Sequence, residues 1–357
     1  MTSWNLSAHR VHTAAAVVGF VLATASTAAN AEGRLTITSF GGSYQEAQRK
    51  ALFAPFAKEQ KVEVLEDEWA GQMAKLRSMV QSGNVTWDVL LISDGQLPLA
   101  CDEGLVERLD PAMFGGKEQF AKGWTHACGI GAIVASIVIG YNDTKFPGEK
   151  PSTLKDFWDV KKFPGPRAMR KWPKHNLEFA LLADGVPPDK LYEVLGTDAG
   201  VARALKKLDE IKPYVKVWTD NWAQPGQLLA DGEVVMSTGT NGRLDVAAQS
   251  APQIKYFWDS QGYSGDMYAI VKGSKNRDNA IKFIRYATQP SNAARIVDYI
   301  LYAPPIPKSL ELMKPEVVAK LPLAPENLKT AWVVNSVFWG DHLDDYEIRF
   351  QAWLNKK

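Results

Sequence analysis

Apolar and polar positions along the chain change period several times, and each change marks an element. Leu35 to Ser39 alternates and is rich in β-branched residues, which predicts a strand. Gly41-Gly42 breaks the run, and Ser43 to Glu46 reads as a capping box ahead of a helix. Pro55 is expected to bend that helix or end it early. Lys61 to Leu65 alternates again, Met73, Leu76, Met79 and Val80 share one helical face, and the continuous apolar run Val89 to Ile92 stops at Ser93-Asp94-Gly95. Strand, helix, strand, helix and buried strand in that order predict parallel βαβ units.

Gly129 to Asn142 is nearly all apolar and gives way to a polar, Pro-rich segment, as a long buried strand passing from one domain to another would. Beyond it, short strands near Arg167 to Met169, Val215 to Trp218, Val234 to Ser237 and Ile254 to Trp258 are interleaved with helices around Leu177 to Ala183, Leu191 to Leu195, Val201 to Ile211 and Gln227 to Ala230. Gly265 to Lys272 reads as a strand returning to the first section. It is followed by helices at Asp278 to Thr288 and Asn292 to Leu301, a Pro-rich stretch from Ala303 to Pro307, and a Trp-bearing helical tail. Two crossings make the first lobe discontinuous. The expected architecture is α/β with two lobes, residues 32–138 with 267–303 and residues 139–266 with 304–357.

With 357 residues and 46% hydrophobic content, the chain is long enough for two cores. Its 41 basic and 40 acidic side chains leave a formal charge of +1, so no global basic field favours nucleic acid. Residues 1–31 stand apart: Arg10 precedes an apolar run from Ala14 to Ala23, and small residues end in Ala29-Asn30-Ala31, the pattern of a cleavable secretory leader. That apolar run is too short to span a membrane. The mature chain is therefore expected to start near Glu32 in an exported compartment, with a bacterial periplasm the best fit. In such a compartment Cys101 and Cys128, the two cysteines of the chain, are expected to pair; two buried free thiols are the alternative.

Catalytic signals are weak. His9 and His12 fall in the leader, and His126, His175 and His342 are isolated, without the clustered Cys/His spacing of a zinc site. GIGAIV from Gly129 lacks the third glycine of a dinucleotide turn, and neither a phosphate-binding G-x-x-x-x-G-K nor a G-x-S-x-G nucleophile motif occurs. No metal or cofactor is expected.

Binding signals are better. In an open α/β sheet, ligands sit outside the carboxyl ends of the strands, so Phe40, Gly42, Ser43, Tyr44 and the Ser93-Asp94 turn are candidates for a site wall. A glycine turn with an ordinary serine cap is the plainer alternative. Asp266 lies between Gly265 and an apolar strand at a crossing point, and the aromatic residues Tyr44, Trp222, Trp258, Tyr263 and Tyr302 belong to comparable positions. A carboxylate with aromatic faces suits an ammonium ion. Arg167, Arg170, Lys171 and Lys174 bring the opposite sign near a strand end, as a carboxylate grip or as a solvated basic loop. Where both readings hold, the ligand has an amine at one end and an acid at the other.

The stretches SFGGSYQEAQRKALFAPFAKE, CDEGLVERLD, FPGPR followed by LEFALLADGV, AQPGQLLADGEVVMSTGTNGR and GDMYAIVKG together resemble the bacterial extracellular solute-binding proteins of the spermidine/putrescine-binding family. The resemblance covers essentially the whole mature chain. It implies a type II periplasmic binding protein: two α/β lobes that close over one solute and deliver it to the permease and ATPase of an ABC importer, as a monomer. Carried over by position, it puts Phe40, Gly42, Ser43, Ser93, Asp94, Ser136, Trp222, Thr240, Asn241, Arg243 and Asp266 at the ligand, with Asp266 matching the amine-binding aspartate. Ala135 and Ser264 depart from the pattern, standing where relatives place bulky aromatics, and Arg170 falls near positions where polyamine binders use acids. These departures favour a zwitterionic or acid-bearing amine over a plain diamine, held by Asp266 and Asp94, with Arg170 or Arg243 on the anionic end. An anion- or ferric-binding member of the same fold, an exported hydrolase, and a receptor-facing protein without a solute are the competing expectations.

Overall fold

The computed structural model describes residues 33–356. The leader expected over residues 1–31 lies outside the described residues. Ten strands are present among them: β1 (Arg34–Ser39), β2 (Glu63–Glu68), β3 (Val89–Ser93), β4 (Thr125–His126), β5 (Gly129–Asn142), β6 (Arg167–Arg170), β7 (Val215–Thr219), β8 (Met236–Thr240), β9 (Ile254–Ile270) and β10 (Trp332–Val333). The sheet runs in the order β2-β1-β3-β9-β5-β8-β6-β7, with β10 added beside β9 and β4 beside β5. β1 is parallel to β2 and β3, and β6 is parallel to β7 and β8; β5 and β9 are antiparallel to each other, β9 to β3 and β5 to β8, while β10 runs parallel to β9.

The long antiparallel pair β5–β9 organises the molecule. One half of it packs Ile130, Ile133, Tyr268 and Ile270 into a core with Leu35, Ile37, Val89 and Phe283. The other half sends Ile137, Ile139 and Phe257 into a second core with Met169, Leu181, Leu208 and Met236. Two cores joined by one ribbon make two lobes, each with helices on its parallel strands. Gly129 to Asn142 reads as a continuous apolar run because β5 is covered on both faces along most of its length. Ala303 bridges back to Val134, Ile306 packs in the first core, and Leu310, Met313, Val317 and Leu321 form a small cluster with Val134 and Leu301. From Trp332 the tail joins the second core, where helix Ser336–Leu354 buries Trp339, Tyr346, Phe350 and Trp353.

Several sequence expectations change in detail. The helix after β1 starts at Gly42 with Gly41 as its cap, and the capping box expected from Ser43 and Glu46 does not form; instead Gln45 Oε1 accepts from the Gly41 N–H at 3.1 Å. Pro55 does not end the helical run. The preceding turn widens over Arg49–Phe53, which accommodates the missing proline N–H, and Ala54–Gln60 continues with Pro55 in its first turn. Ile254 to Trp258 and Gly265 to Lys272 are parts of one strand, β9, which absorbs its irregularity at Ser260 with a left-handed φ of 56°. The helix expected over Asn292 to Leu301 shortens to Pro290–Ala294 and a tight turn at Arg295–Asp298. A helix at Asn241–Ser250, unanticipated from the sequence, follows β8 directly.

Cys101 and Cys128 are joined, with their Cα atoms 5.8 Å apart, tying helix Leu97–Asp102 to the start of β5. Cys101, His126 and Cys128 form the one grouping at metal-ligand spacing among the described residues, within 4.8 Å of one another, and both sulfurs are already consumed by the disulfide.

Candidate functional site

The carboxyl ends of the parallel strands of both lobes converge on one cavity of about 390 Å³. β1 ends at Phe40 to Tyr44, β2 at Glu68 to Gly71, and β3 at Ser93 to Gln96; β6 runs out at Arg170, β7 leads to Asn221 and Trp222, and β8 ends at Thr240. The floor is the crossing pair itself, with Ile133, Ala135 and Ile137 of β5 and Ser264 and Asp266 of β9. This is where an open α/β sheet places its ligand. The small side chains Ala135 and Ser264 leave the floor open at the positions singled out in the sequence.

Asp266 supplies the anionic end. Its surroundings exclude water strongly enough to push its pKa up to about 7, chiefly by burial and secondly through the neighbouring charge of Asp94, while Tyr44 beside it and the more distant Arg243 and Lys174 work the other way. Tyr44 and Tyr302, both buried, meet edge to face at 5.3 Å, and the Tyr302 hydroxyl donates to Thr240 Oγ1 at 2.8 Å. Phe40 stacks on Trp69 at 5.7 Å, and Trp69 is fixed by its indole N–H on the Leu91 carbonyl at 3.0 Å. An ammonium ion at Asp266 thus meets one carboxylate and several aromatic rings.

Arg170 supplies the opposite sign. Its guanidinium lies 4.9 Å from the Trp222 ring and 5.7 Å from the Trp172 ring, and its Nη1 is buried with no hydrogen-bond partner. Burial lowers its pKa to about 10, which leaves it charged at neutral pH. Lys174 and His175 line the same side. His175 takes a left-handed φ of 74°, packs edge-on against Trp222 at 5.8 Å, and has both ring nitrogens buried without partners; burial, followed by Lys174 and Arg170, keeps the imidazole neutral. Its backbone N–H donates to Glu178 at 2.7 Å, and Glu178 also accepts from the Trp339 indole at 2.5 Å and the Tyr192 hydroxyl at 3.1 Å.

Arg243 crosses between the lobes, donating to the Phe40 carbonyl at 3.2 Å and the Gly41 carbonyl at 3.0 Å. That crossing explains Gly42. With φ at 59°, it is in the region glycine favours, and a Cβ there would stand 2.5 Å from Arg243 Nη1.

Of the residues expected at the ligand, Phe40, Gly42, Tyr44, Ser93, Arg170, Trp222, Thr240, Arg243, Asp266 and Tyr302 line the cavity. Four do not. Ser136 points to the far side of β5, where its hydroxyl donates to Gln261 and its N–H to Asn241 Oδ1 at 3.0 Å. Asn241 is buried in the same network, donating to the Leu301 carbonyl at 2.6 Å. Ser43 sits one residue into its helix, off the wall, and Asp94 turns toward Lys174 and Ser336 rather than into the cavity. Trp258 packs on Tyr256 in another cluster, and Tyr263 faces the C-terminal tail. Arg167 separates from the basic group: it is fully buried and caps the carbonyls of Phe157, Phe163 and Gly165. The sequence reading omitted Trp69, Trp172 and His175. Trp69 and Trp172 each follow a strand end on the rim, which is the signal that could have found them.

Residues 51–326 match the family described as bacterial extracellular solute-binding protein. The chain is 43% identical over 334 residues to the gamma-aminobutyric acid-binding protein of Pseudomonas aeruginosa, covering 94% of each. Among solved structures it is similar to the PBP MotA from A. tumefaciens B6 in complex with glucopine, at 35% identity, over 90% of this chain and 99% of that one, with a TM-score of 0.84. A GABA receptor structure matches at 33% identity, over 91% and 98% of the two chains, with a TM-score of 0.80. These matches carry the two-lobed fold of type II periplasmic binding proteins, and the proteins they name bind a solute for transport rather than convert it. The chain belongs to the bacterial extracellular solute-binding proteins, the carriers that hold a small solute between two lobes for an ABC importer.

Proposed function

We propose that this carrier binds a short ω-amino acid of the GABA type in the periplasm, reached through the leader of residues 1–31, and hands it to its permease as a monomer. The lobes are residues 32–138 with 267–303 and residues 139–266 with 304–357. One observation carries the reading: a carboxylate, Asp266, and a buried guanidinium with a free N–H, Arg170, line the same cavity. The solute's ammonium faces Asp266 among Tyr44, Tyr302 and Phe40, its methylene stem packs on aromatic rings, and its carboxylate meets Arg170. Ser93, Thr240 and Arg243 complete the wall. Closure excludes water and strengthens both charge contacts.

The same cations argue against a plain diamine, because a second ammonium would face Arg170 and Lys174. The similarity to a GABA-binding protein over 94% of the chain supports the zwitterion independently. The test is thermal unfolding of the mature protein against GABA, δ-aminovalerate, putrescine, spermidine and simple carboxylates. A native-state ligand at a hundredfold its dissociation constant adds about 2.7 kcal/mol. Stabilisation by ω-amino acids supports the reading; stabilisation by diamines alone, or by carboxylates alone, overturns it.

A further inference from the structure

Asp94 closes the strand end that leads into the site, yet it does not line the cavity. β3 belongs to the first core, and the turn that follows it, Asp94-Gly95, is packed against two pieces of the second. Lys174 Nζ lies 3.1 Å from where a side chain on Gly95 would begin, and the Cα of Ser336 lies 3.9 Å from the same point. Ser336 opens the 19-residue helix Ser336–Leu354, whose body is buried in the second core through Trp339, Tyr346, Phe350 and Trp353. The start of that helix also approaches the turn from its other side, with the Gly95 carbonyl 3.9 Å from the Cβ position of Gly340. The Asp94 carboxylate beside this turn interacts with the same two groups, the Lys174 ammonium and the Ser336 side chain at the positive end of the long helix.

The arrangement is anchored on both sides. Asp94 is fixed by its own N–H, which donates to the Gly265 carbonyl at 2.9 Å. On the other lobe, Asn335 caps the helix by accepting from the Phe338 N–H at 3.0 Å, and its own N–H donates to the Tyr192 hydroxyl at 2.9 Å. Asp94 Oδ1 is buried without a hydrogen-bond partner, and against that burial the charged form is favoured by Lys174 and by hydrogen bonds from Ser336 and from the backbone of Gly265 and Gly95.

We propose that the Asp94-Gly95 turn, Lys174 and the start of the C-terminal helix form an interlobe latch, with Asp94 a positioning residue that sets the balance between open and closed forms without touching the solute. The proposal rests on the chain being a two-lobed carrier, and it does not depend on which solute is bound. Apparent affinity scales with the fraction of molecules able to close, so loosening the latch weakens every solute by one common factor.

The experiment compares wild type with Asp94→Asn and with Gly95→Trp, a wedge placed outside the cavity. Small-angle scattering without solute and titration calorimetry with GABA and δ-aminovalerate are measured for each. Both variants are expected to show a larger radius of gyration without solute and a loss of about tenfold in affinity, equal for the two solutes within threefold. An unchanged scattering curve with unchanged affinity overturns the latch, as does a loss that differs between the solutes, which would make Asp94 a ligand contact. Should neither solute bind wild type, the ω-amino-acid reading fails, and the scattering comparison still decides the latch.

Discussion

Ser93 lies directly opposite Asp266 in the antiparallel β3–β9 pair, and Ile133 of β5 flanks Asp266 on its other side. The cavity-facing carboxylate is thus pinned between the last residue of a parallel strand and the middle of a crossing strand. A strand end opens the cavity, the crossing strand closes its floor, and Asp94, next in the chain, adds a second negative charge. That register explains why Asp266 holds its proton to about pH 7 when no cation is present.

Asp266→Asn keeps the shape and removes the charge. The affinity for GABA is expected to fall by at least about a hundredfold, the usual cost of deleting one partner of a desolvated charge pair. Folding should be intact, because the variant no longer has to ionise a buried acid. Calorimetry of binding alongside thermal unfolding checks both halves, and an unchanged affinity would refute the role given to Asp266.

The pH dependence follows from the same group. The free carboxyl is raised to about 7, whereas the ammonium-bound form is held ionised, so binding expels a proton below that pH. Affinity for GABA should be level above about pH 7 and fall by roughly tenfold per unit beneath it. For stability the sign is opposite: an acid whose folded pKa is raised stabilises fully below its unfolded value near 4, and this contribution is lost as pH rises through about 7. The solute-free protein should therefore lose stability from pH 4 to 7 relative to Asp266→Asn. Binding and melting series across that range decide both signs.

What could be read from the sequence was what local chemistry fixes. β1, β3 and β5 were legible because alternation or a long apolar run reports burial directly, and Asp266 stood out as an acid entering such a run. Ser136 was misplaced because the two faces of β5 differ by one residue, and the strand carries irregularities at Gly131/Ile133 and Ile137/Ile139 that no pattern announces. Of the cavity-facing β5 residues, Ile133 and Ile137 read as plain core, and Ala135 stands out only through its departure from the family pattern. Trp172 and His175 were missed because the helix start at Pro173 holds two non-helical residues, Lys174 and His175, in a conformation set by buried Glu178. Their position depends on Trp339 and Tyr192, far along the chain.

The disulfide is a stability device placed off the cavity. Its loop spans 27 residues, for which chain-entropy reasoning gives about 3–4 kcal/mol. Replacing Cys101 and Cys128 together by Ser should lower the melting temperature by several degrees while GABA affinity stays within about twofold. Loss of affinity without loss of stability would contradict this placement.

Arg170→Met separates the zwitterion from the diamine. The methionine stem can retain the packing between Trp172 and Trp222, and no hydrogen bond of Nη1 is lost, since Nη1 has no protein partner. What disappears is the charge that receives the solute's carboxylate. GABA should weaken by about ten- to a hundredfold, in line with about 1.5–3 kcal/mol for a hydrogen bond to a charged group. Putrescine should bind better than to wild type, because a repelling cation has gone from the far end of the cavity. Calorimetric titration of both solutes into both proteins gives the answer as a crossed preference. Equal weakening of the two would mean that Arg170 shapes the wall without selecting the acid, and would remove the main support for a two-ended site.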